Sequence, residues 1–91
     1  MDILVHPRIS ERHPEISPED VLAAWKSPLD MLLRVDSLNF PEYVCIGYDP
    51  KGRLLEMVGT MTNDGWLIYH AMTPPSKKTL KEIEEARRRG S

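Results

Sequence analysis

Histidine, arginine and lysine are the side chains with which this sequence could act on a phosphodiester. Cleavage of RNA through its 2′-hydroxyl needs a base for that hydroxyl, cations for the charge that develops on phosphate, and an acid for the leaving oxygen. His70, near the end of a strand-like segment, is the strongest acid–base candidate, because an unperturbed imidazole exchanges its proton near pH ~6.5. A structural histidine at a strand end is the alternative interpretation.

Two further residues are candidates for catalysis. His13 competes with His70 for the acid–base role, and Arg53 is predicted to share one RNA site with His70 at the start of its strand. His13 precedes a proline in a predicted loop, where it could exchange protons or simply position the helix that follows. Arg53 follows Gly52 at the mouth of a predicted hairpin, where its planar guanidinium could hold a phosphate through two hydrogen bonds. An exposed strand arginine is the alternative. The catalytic candidates are therefore His70, Arg53 and His13.

Positive charge is concentrated in the last predicted helix. Residues 74–91 hold six basic and three acidic side chains, although the whole chain has a net charge of −2. Lys77 and Lys78 fall in the first turn of that helix, where the helix macrodipole disfavours each cation by roughly 0.3–1 kcal/mol. A bound phosphate would offset this cost, and simple solvation is the alternative. With Lys81, these lysines are the predicted RNA-binding residues.

Neither a metal nor another cofactor is expected. The three histidines and the scattered carboxylates lack the spacing of a metal site. Cys45 is the only cysteine, so it can form neither an internal disulfide nor a zinc cluster. Its apolar neighbours Val44 and Ile46 predict a small buried residue rather than a nucleophile.

Length and composition predict one small domain. A chain of 91 residues with 41% hydrophobic content fits a single globular core, which we place at residues 1–89 with Gly90-Ser91 as a short added tail. No apolar run approaches the ~20 residues that span a bilayer, and the N-terminus has no export pattern. We expect a cytoplasmic protein without membrane association. So small a domain buries only roughly 60% of its unfolded surface, so a protein partner or oligomer would stabilise it.

Local signals predict an α+β fold with a mainly antiparallel sheet of four to five strands, two N-terminal helices and one C-terminal helix. Ser17 and Asp20 can form a capping box around Pro18, which predicts a helix that ends near Ser27. Turn residues at 49–52 and 63–65 join three strands into a meander. The predicted segments are a strand at 2–5, helical turns at 8–13, the capped helix, strands from 29 to 36, at 43–48, 53–62 and 66–72, and a helix from about Pro74.

Apolar periodicity predicts which faces are buried. From Leu29 the period changes to two, so that Met31, Leu33 and Val35 share one face of a half-buried strand until residues 37–41 break the pattern. Trp25 shares an apolar helix face and Trp66 starts an alternating strand. Both tryptophans are therefore predicted in the core rather than as platforms for stacked bases.

Three short stretches, in this order and at this spacing, carry a family resemblance. They are Arg12–Ser17, Ile46–Leu55 and Ile68–Thr73. They resemble the BrnT-like branch of the RelE/ParE toxin superfamily, over about residues 3–85. The resemblance implies a RelE-like fold, cleavage of messenger RNA that halts translation, and neutralisation by an antitoxin that also binds DNA, in a hetero-oligomer of toxin and antitoxin.

The resemblance also carries over to single positions. The family's histidine before the capped helix falls on His13, its glycine-arginine after the hairpin turn on Gly52 and Arg53, and its basic helix start on Lys77 and Lys78. The chain departs from the family in two ways: Met72 stands where an arginine tends to follow the last strand's small residue, and the net charge is acidic. The alternatives are a catalytically weak binding module on the toxin scaffold and an unrelated small α+β domain.

Overall fold

A five-stranded mixed sheet carries three helices in the computed structural model, which describes residues 2–35 and 41–90. The elements in chain order are β1 (Asp2–Val5), α1 (Arg8–Arg12), α2 (Pro18–Lys26), β2 (Pro28–Val35), β3 (Pro41–Tyr48), β4 (Leu54–Thr62), β5 (Gly65–Met72) and α3 (Lys77–Gly90). The strands lie side by side in the order β1-β5-β4-β3-β2. The predicted α+β class is confirmed, with five strands and three helices.

Strand β1 corrects the sheet prediction. It pairs in parallel with β5, whereas the other three neighbouring pairs are antiparallel. Its partner lies some sixty residues later, with Asp2 beside Gly65 and Val5 beside Ile68. Parallel strands are joined by a long connection and not by a tight turn. No turn motif in the sequence therefore indicates that β1 pairs with β5.

The predicted meander is confirmed. Gly52 has a φ of 80° in the β3–β4 turn, where its N–H donates to the Asp49 carbonyl at 3.0 Å. The turn brings Tyr48 opposite Leu54. Gly65 has a φ of 122° and lies opposite Thr62, which closes the β4–β5 turn. These left-handed glycine conformations are ones that other residues rarely adopt, so the two turns set the register of the centre of the sheet.

Helix α2 begins with the predicted capping box. The Asp20 N–H donates to Ser17 Oγ at 3.2 Å, and the Ser17 N–H donates to Asp20 Oδ2 at 3.1 Å. Pro18 is the first helical residue, and Ile16 and Val21 on either side of the cap are both fully buried. The cap therefore sets where α2 begins and directs its apolar side onto the sheet.

The core lies between α1, α2 and one face of the sheet. Trp25 and Trp66 meet edge to face with centroids 5.3 Å apart, and Tyr43 meets Trp66 at 4.9 Å. Cys45 is fully buried beside them, and burial raises the pKa of its thiol to about 12. The core predictions for Trp25 and Cys45 are confirmed, whereas Trp66 is partly buried and packs against the margin of the core. The cluster comprises Ile9, Ile16, Val21, Ala24, Trp25, Cys45, Leu55, Met57, Ile68 and Ala71, with Ile3, Val5, Tyr43 and Trp66 at its margin.

The alternating pattern of β2 predicts that the face of Met31 and Leu33 is buried, but the opposite face is the more buried one. Met31 and Leu33 are exposed, while Asp30, Leu32 and Arg34 are half-buried on the side where α3 lies. Helix α2 packs on β1, β3 and β4. The apolar face of edge strand β2 therefore lies beyond the part of the sheet that α2 covers. The Val35 side chain and the expected break at 37–40 lie outside the described residues, and β3 already begins at Pro41.

Helix α3 starts three residues later than predicted. The Thr73 hydroxyl donates to the Leu54 carbonyl at 2.7 Å, which holds the chain along β4, and the Thr73-Pro74 peptide is cis. The helix then begins at Lys77, where Ser76 Oγ accepts the Thr79 N–H at 3.2 Å. It runs to Gly90. Among the described residues, no helix is both long and apolar enough to cross a membrane.

Candidate active site

A histidine and a glutamate from neighbouring strands form the centre of the site. His70 on β5 lies opposite Val58, and Glu56 lies two residues before Val58 on the same face of β4. His70 Nε2 and Glu56 Oε2 are 2.9 Å apart. The glutamate is buried, whereas 37% of the histidine side chain is exposed. A buried carboxylate thus orients an imidazole that reaches solvent.

The start of α3 keeps Glu56 ionised. Its Oε1 accepts the Ser76 N–H at 2.9 Å and the Ser76 hydroxyl at 2.8 Å. Burial acts to raise the pKa of Glu56, but hydrogen bonds from Ser76, Thr79 and His70 outweigh it and hold this pKa below its ordinary value of 4.5. An ionised carboxylate only accepts, so His70 donates from Nε2, and Nδ1 of the neutral ring carries the lone pair.

The negative charge of Glu56 also offsets part of the cost of placing two lysines in the first turn of α3. Lys77 and Lys78 occupy the first turn of α3, which contains no acidic residue of its own. Glu56 places a negative charge at this helix start from the neighbouring strand, which complements the macrodipole. Their position therefore needs no bound phosphate. Lys78 lines the cleft described next, whereas Lys77 and Lys81 are exposed and lie outside its lining.

His70 opens into a cleft of about 390 Å³ rich in cations. The lining residues are Arg8, Arg12, Arg34, Glu42, Glu56, Val58, Tyr69, His70, Ser76, Lys78 and Thr79. Arg34 is already held by two hydrogen bonds to Glu82 and one to Glu42. The side chains of Arg8, Arg12 and Lys78 form no ion pair with the described residues. Three unpaired cations beside an imidazole suit an anionic ligand.

His13 lies at an adjoining, smaller cleft. This cleft has a volume of about 100 Å³, and its lining includes His13, His70, Arg8, Arg12 and Tyr69. The His13 N–H donates to the Ile9 carbonyl at 2.8 Å, which ends α1 at this place. The structure therefore brings two of the three predicted catalytic residues to neighbouring clefts.

Arg53 lies elsewhere, and the predicted site that it shares with His70 is wrong. Its Nε donates to Asp49 Oδ2 at 2.8 Å, its Nη2 to Asp20 Oδ2 at 3.0 Å and its Nη1 to the Glu15 carbonyl at 3.0 Å. Asp49 lies in the β3–β4 turn, and Glu15 and Asp20 lie at the start of α2, whereas His70 is on the α3 face. The register also places His70 opposite the middle of β4 rather than its start. Arg53 ties the β3–β4 hairpin to α2.

No protein-family model, no curated protein and no solved structure matches this chain. Function has to be inferred from the cleft itself. Within residues 2–35 and 41–90, no group of three or more histidine, cysteine, aspartate or glutamate side chains is arranged to hold a metal ion. The reactive groups of the cleft are an imidazole, two carboxylates, hydroxyls and cations.

Two signals in the sequence could have located the missed residues. Glu56 is the only charged residue in β4, between Leu55 and Met57 of the core. A carboxylate inside such an apolar strand needs hydrogen-bond donors if it is buried, so this pattern indicates a candidate site residue. Arg8 and Arg12 are four residues apart, the spacing that places two side chains on one side of a helix.

Proposed function

We propose that the protein is a metal-independent endoribonuclease, the toxin of a type II toxin–antitoxin system with a RelE-like fold of the BrnT-like branch. The observation that carries the proposal is the pairing of His70 with buried Glu56 at a cleft where Arg8, Arg12 and Lys78 form no ion pair with any residue that the structure describes. An oriented imidazole beside unpaired cations meets the two main needs of RNA cleavage through the 2′-hydroxyl.

The cations bind and position the RNA. Arg8 and Arg12 project from α1 and Lys78 from α3, so they approach the same cleft from two sides. Phosphate contacts of this kind supply sequence-independent affinity and weaken as salt rises. The unpaired charges are local, which reconciles RNA binding with a chain whose net charge is −2.

His70 acts as the general base. Its Nδ1 takes the proton of a 2′-hydroxyl, and the 2′-oxygen attacks the adjacent phosphorus as the bond to the 5′-oxygen breaks. The leaving 5′-oxygen receives a proton from an acid, the role that we assign to His13 in the adjoining cleft. The products are a 2′,3′-cyclic phosphate and a 5′-hydroxyl. Glu56 stabilises the imidazolium that forms, and each proton transfer contributes about 10²–10⁴-fold to the rate.

In the cell, we place this activity in the cytoplasm and on messenger RNA, where cleavage stops translation. A cognate antitoxin protein would bind the toxin in a hetero-oligomer and block the cleft. These assignments rest on the resemblance of residues 12–17, 46–55 and 68–73 to the toxin family, and the site chemistry agrees with them.

The direct test is cleavage of a single-stranded RNA by the purified chain, with the 2′-deoxy oligonucleotide as substrate control. His70→Gln and Glu56→Gln should each lower the cleavage rate by at least about 10²-fold. His6→Asn is the matched histidine control, because His6 lies outside both clefts and asparagine still offers an acceptor to the Arg8 N–H that now donates to His6 Nδ1. Cleavage of the deoxy substrate, or full activity of His70→Gln, would refute the mechanism.

A binding module on the toxin scaffold is the second candidate function. It is favoured by the large exposed apolar side chains Leu29, Met31 and Leu33 on edge strand β2 and by Met72, where the family tends to have arginine. Induced expression, with and without a neighbouring small reading frame, separates the two. Growth arrest with degraded RNA supports the nuclease, whereas arrest with intact RNA supports the binding module.

A further inference from the structure

Strand β2 presents an open edge with an apolar face. It ends the strand order, so one of its sides has no partner strand among the described residues. Leu29, Met31 and Leu33 are 55%, 38% and 50% exposed. Stable monomers usually blunt such an edge with charge, proline or a cover, because an open apolar strand readily pairs with another strand.

The sequence of β2 complements itself. An antiparallel alignment centred on Leu32 places Asp30 opposite Arg34 of a second copy and Met31 opposite Leu33. Two-fold symmetry repeats both pairs, so every member of Asp30–Arg34 meets a favourable partner. Opposite charges and apolar residues that face each other across strands are the pairs that stabilise sheets.

The backbone supports the same register. The Met31 N–H donates to Oδ1 of its own neighbour Asp30 at 2.9 Å, which places this amide on the open side of the strand. Outward amides recur every second residue, so Leu33 shares this orientation. In the alignment centred on Leu32, Met31 and Leu33 are the residues that exchange backbone hydrogen bonds with the second copy. Charge and backbone geometry thus select one alignment.

We propose that β2 pairs with β2 of a second copy of this chain to form a continuous ten-stranded sheet. The two-fold axis is perpendicular to the sheet, so both His70 clefts open on one face. Helix α3 lies over β2 through Arg34–Glu82 and Arg87–Asp30, so the two α3 helices come side by side across the axis and enlarge the interface. This assembly holds whether or not the cleft cleaves RNA.

The other sheet edge does not fit a second copy in this way. Leu4 on β1 is 64% exposed, so this edge also has an apolar side chain. However, β1 has only four residues, Asp2–Val5, with one acid and no base. Self-pairing there would provide no opposite charge for Asp2. β1 therefore supplies the matched control position.

The first test is the mass in solution by sedimentation equilibrium over a range of micromolar concentrations. The wild-type chain should have twice the 10.5 kDa mass of one chain. Leu33→Lys should be monomeric, whereas Leu4→Lys should stay dimeric, and circular dichroism verifies that both remain folded. A wild-type monomer throughout overturns the proposal. Dissociation by Leu4→Lys alone also overturns it.

The second test addresses the register. The double variants Met31→Lys/Leu33→Lys and Met31→Glu/Leu33→Glu should each be monomeric, because both pairs between position 31 and position 33 of the other copy then carry like charges. An equimolar mixture should form a mixed dimer that dissociates in high salt. Dimers of either double variant alone, or a mixture that stays monomeric when the wild type is dimeric, would overturn this alignment.

Discussion

Arg53→Ala should unfold this protein more readily rather than remove a catalytic group. The Asp49 side chain is fully buried, and its Oδ1 accepts the Lys51 and Arg53 N–H groups at 2.9 Å each. Its Oδ2 is held by the Arg53 guanidinium. The substitution leaves these backbone bonds in place but removes the cation from a buried carboxylate, while Asp20 keeps Lys51.

The expected loss follows from this geometry. Removal of one partner of a buried ion pair costs roughly 3–5 kcal/mol, because the other charge stays buried without compensation. Arg53 is itself partly exposed, so we take the lower end, about 3 kcal/mol. For a domain of this size, 1 kcal/mol corresponds to roughly 4–8 °C in Tm, so Tm should fall by roughly 12–24 °C. Arg53→Lys should lose less, since lysine keeps the charge but not the planar fork.

Thermal and urea unfolding followed by circular dichroism measure this effect. Arg89→Ala is the control, because Arg89 is an exposed arginine near the end of α3 and its loss should stay within about 0.5 kcal/mol. RNA cleavage by Arg53→Ala should be retained at a temperature where the variant remains folded. An unchanged Tm together with lost cleavage would refute the structural role and restore Arg53 as a substrate contact.

Three further outcomes are expected. Ser17→Ala removes the acceptor of the Asp20 N–H and should lower the free energy of unfolding by about 1 kcal/mol in urea titration. Gly47→Ala places a Cβ 2.5 Å from the Ala24 carbonyl oxygen and should cost roughly 1–3 kcal/mol by the same assay. Because the folded-state pKa of Glu56 is lowered, its stabilisation is present above its ordinary pKa of 4.5 and is lost as pH falls through the folded value. Glu56→Gln should therefore flatten the acid limb of stability against pH. An unchanged urea midpoint would contradict the prediction for Ser17→Ala, and unchanged stability would contradict the one for Gly47→Ala. For Glu56→Gln, the contradicting result is an acid limb identical to that of the wild type.

Part of the site could be predicted from residue type alone. His70 was identified by its chemistry, and the structure gives it an oriented carboxylate partner. Equally sound local chemistry predicts Arg53 as a phosphate ligand, but Asp20, 33 residues away, binds its guanidinium. A guanidinium binds the anion that the fold places beside it. Neither residue spacing nor secondary-structure propensity predicts which anion that is.

Much of the local architecture is specified by neighbouring residues alone. The capping box at Ser17, the turns closed by Gly52 and Gly65 and the meander between them depend on contacts within a few residues, which side-chain type and backbone sterics specify directly. The parallel pairing of β1, the burial of the α3 face of β2 and the hydrogen bonds between Glu56 and Ser76 arise instead from long-range packing. Those contacts join distant segments, and their free energy comes from shared burial and paired charge that exist only once the segments have packed together.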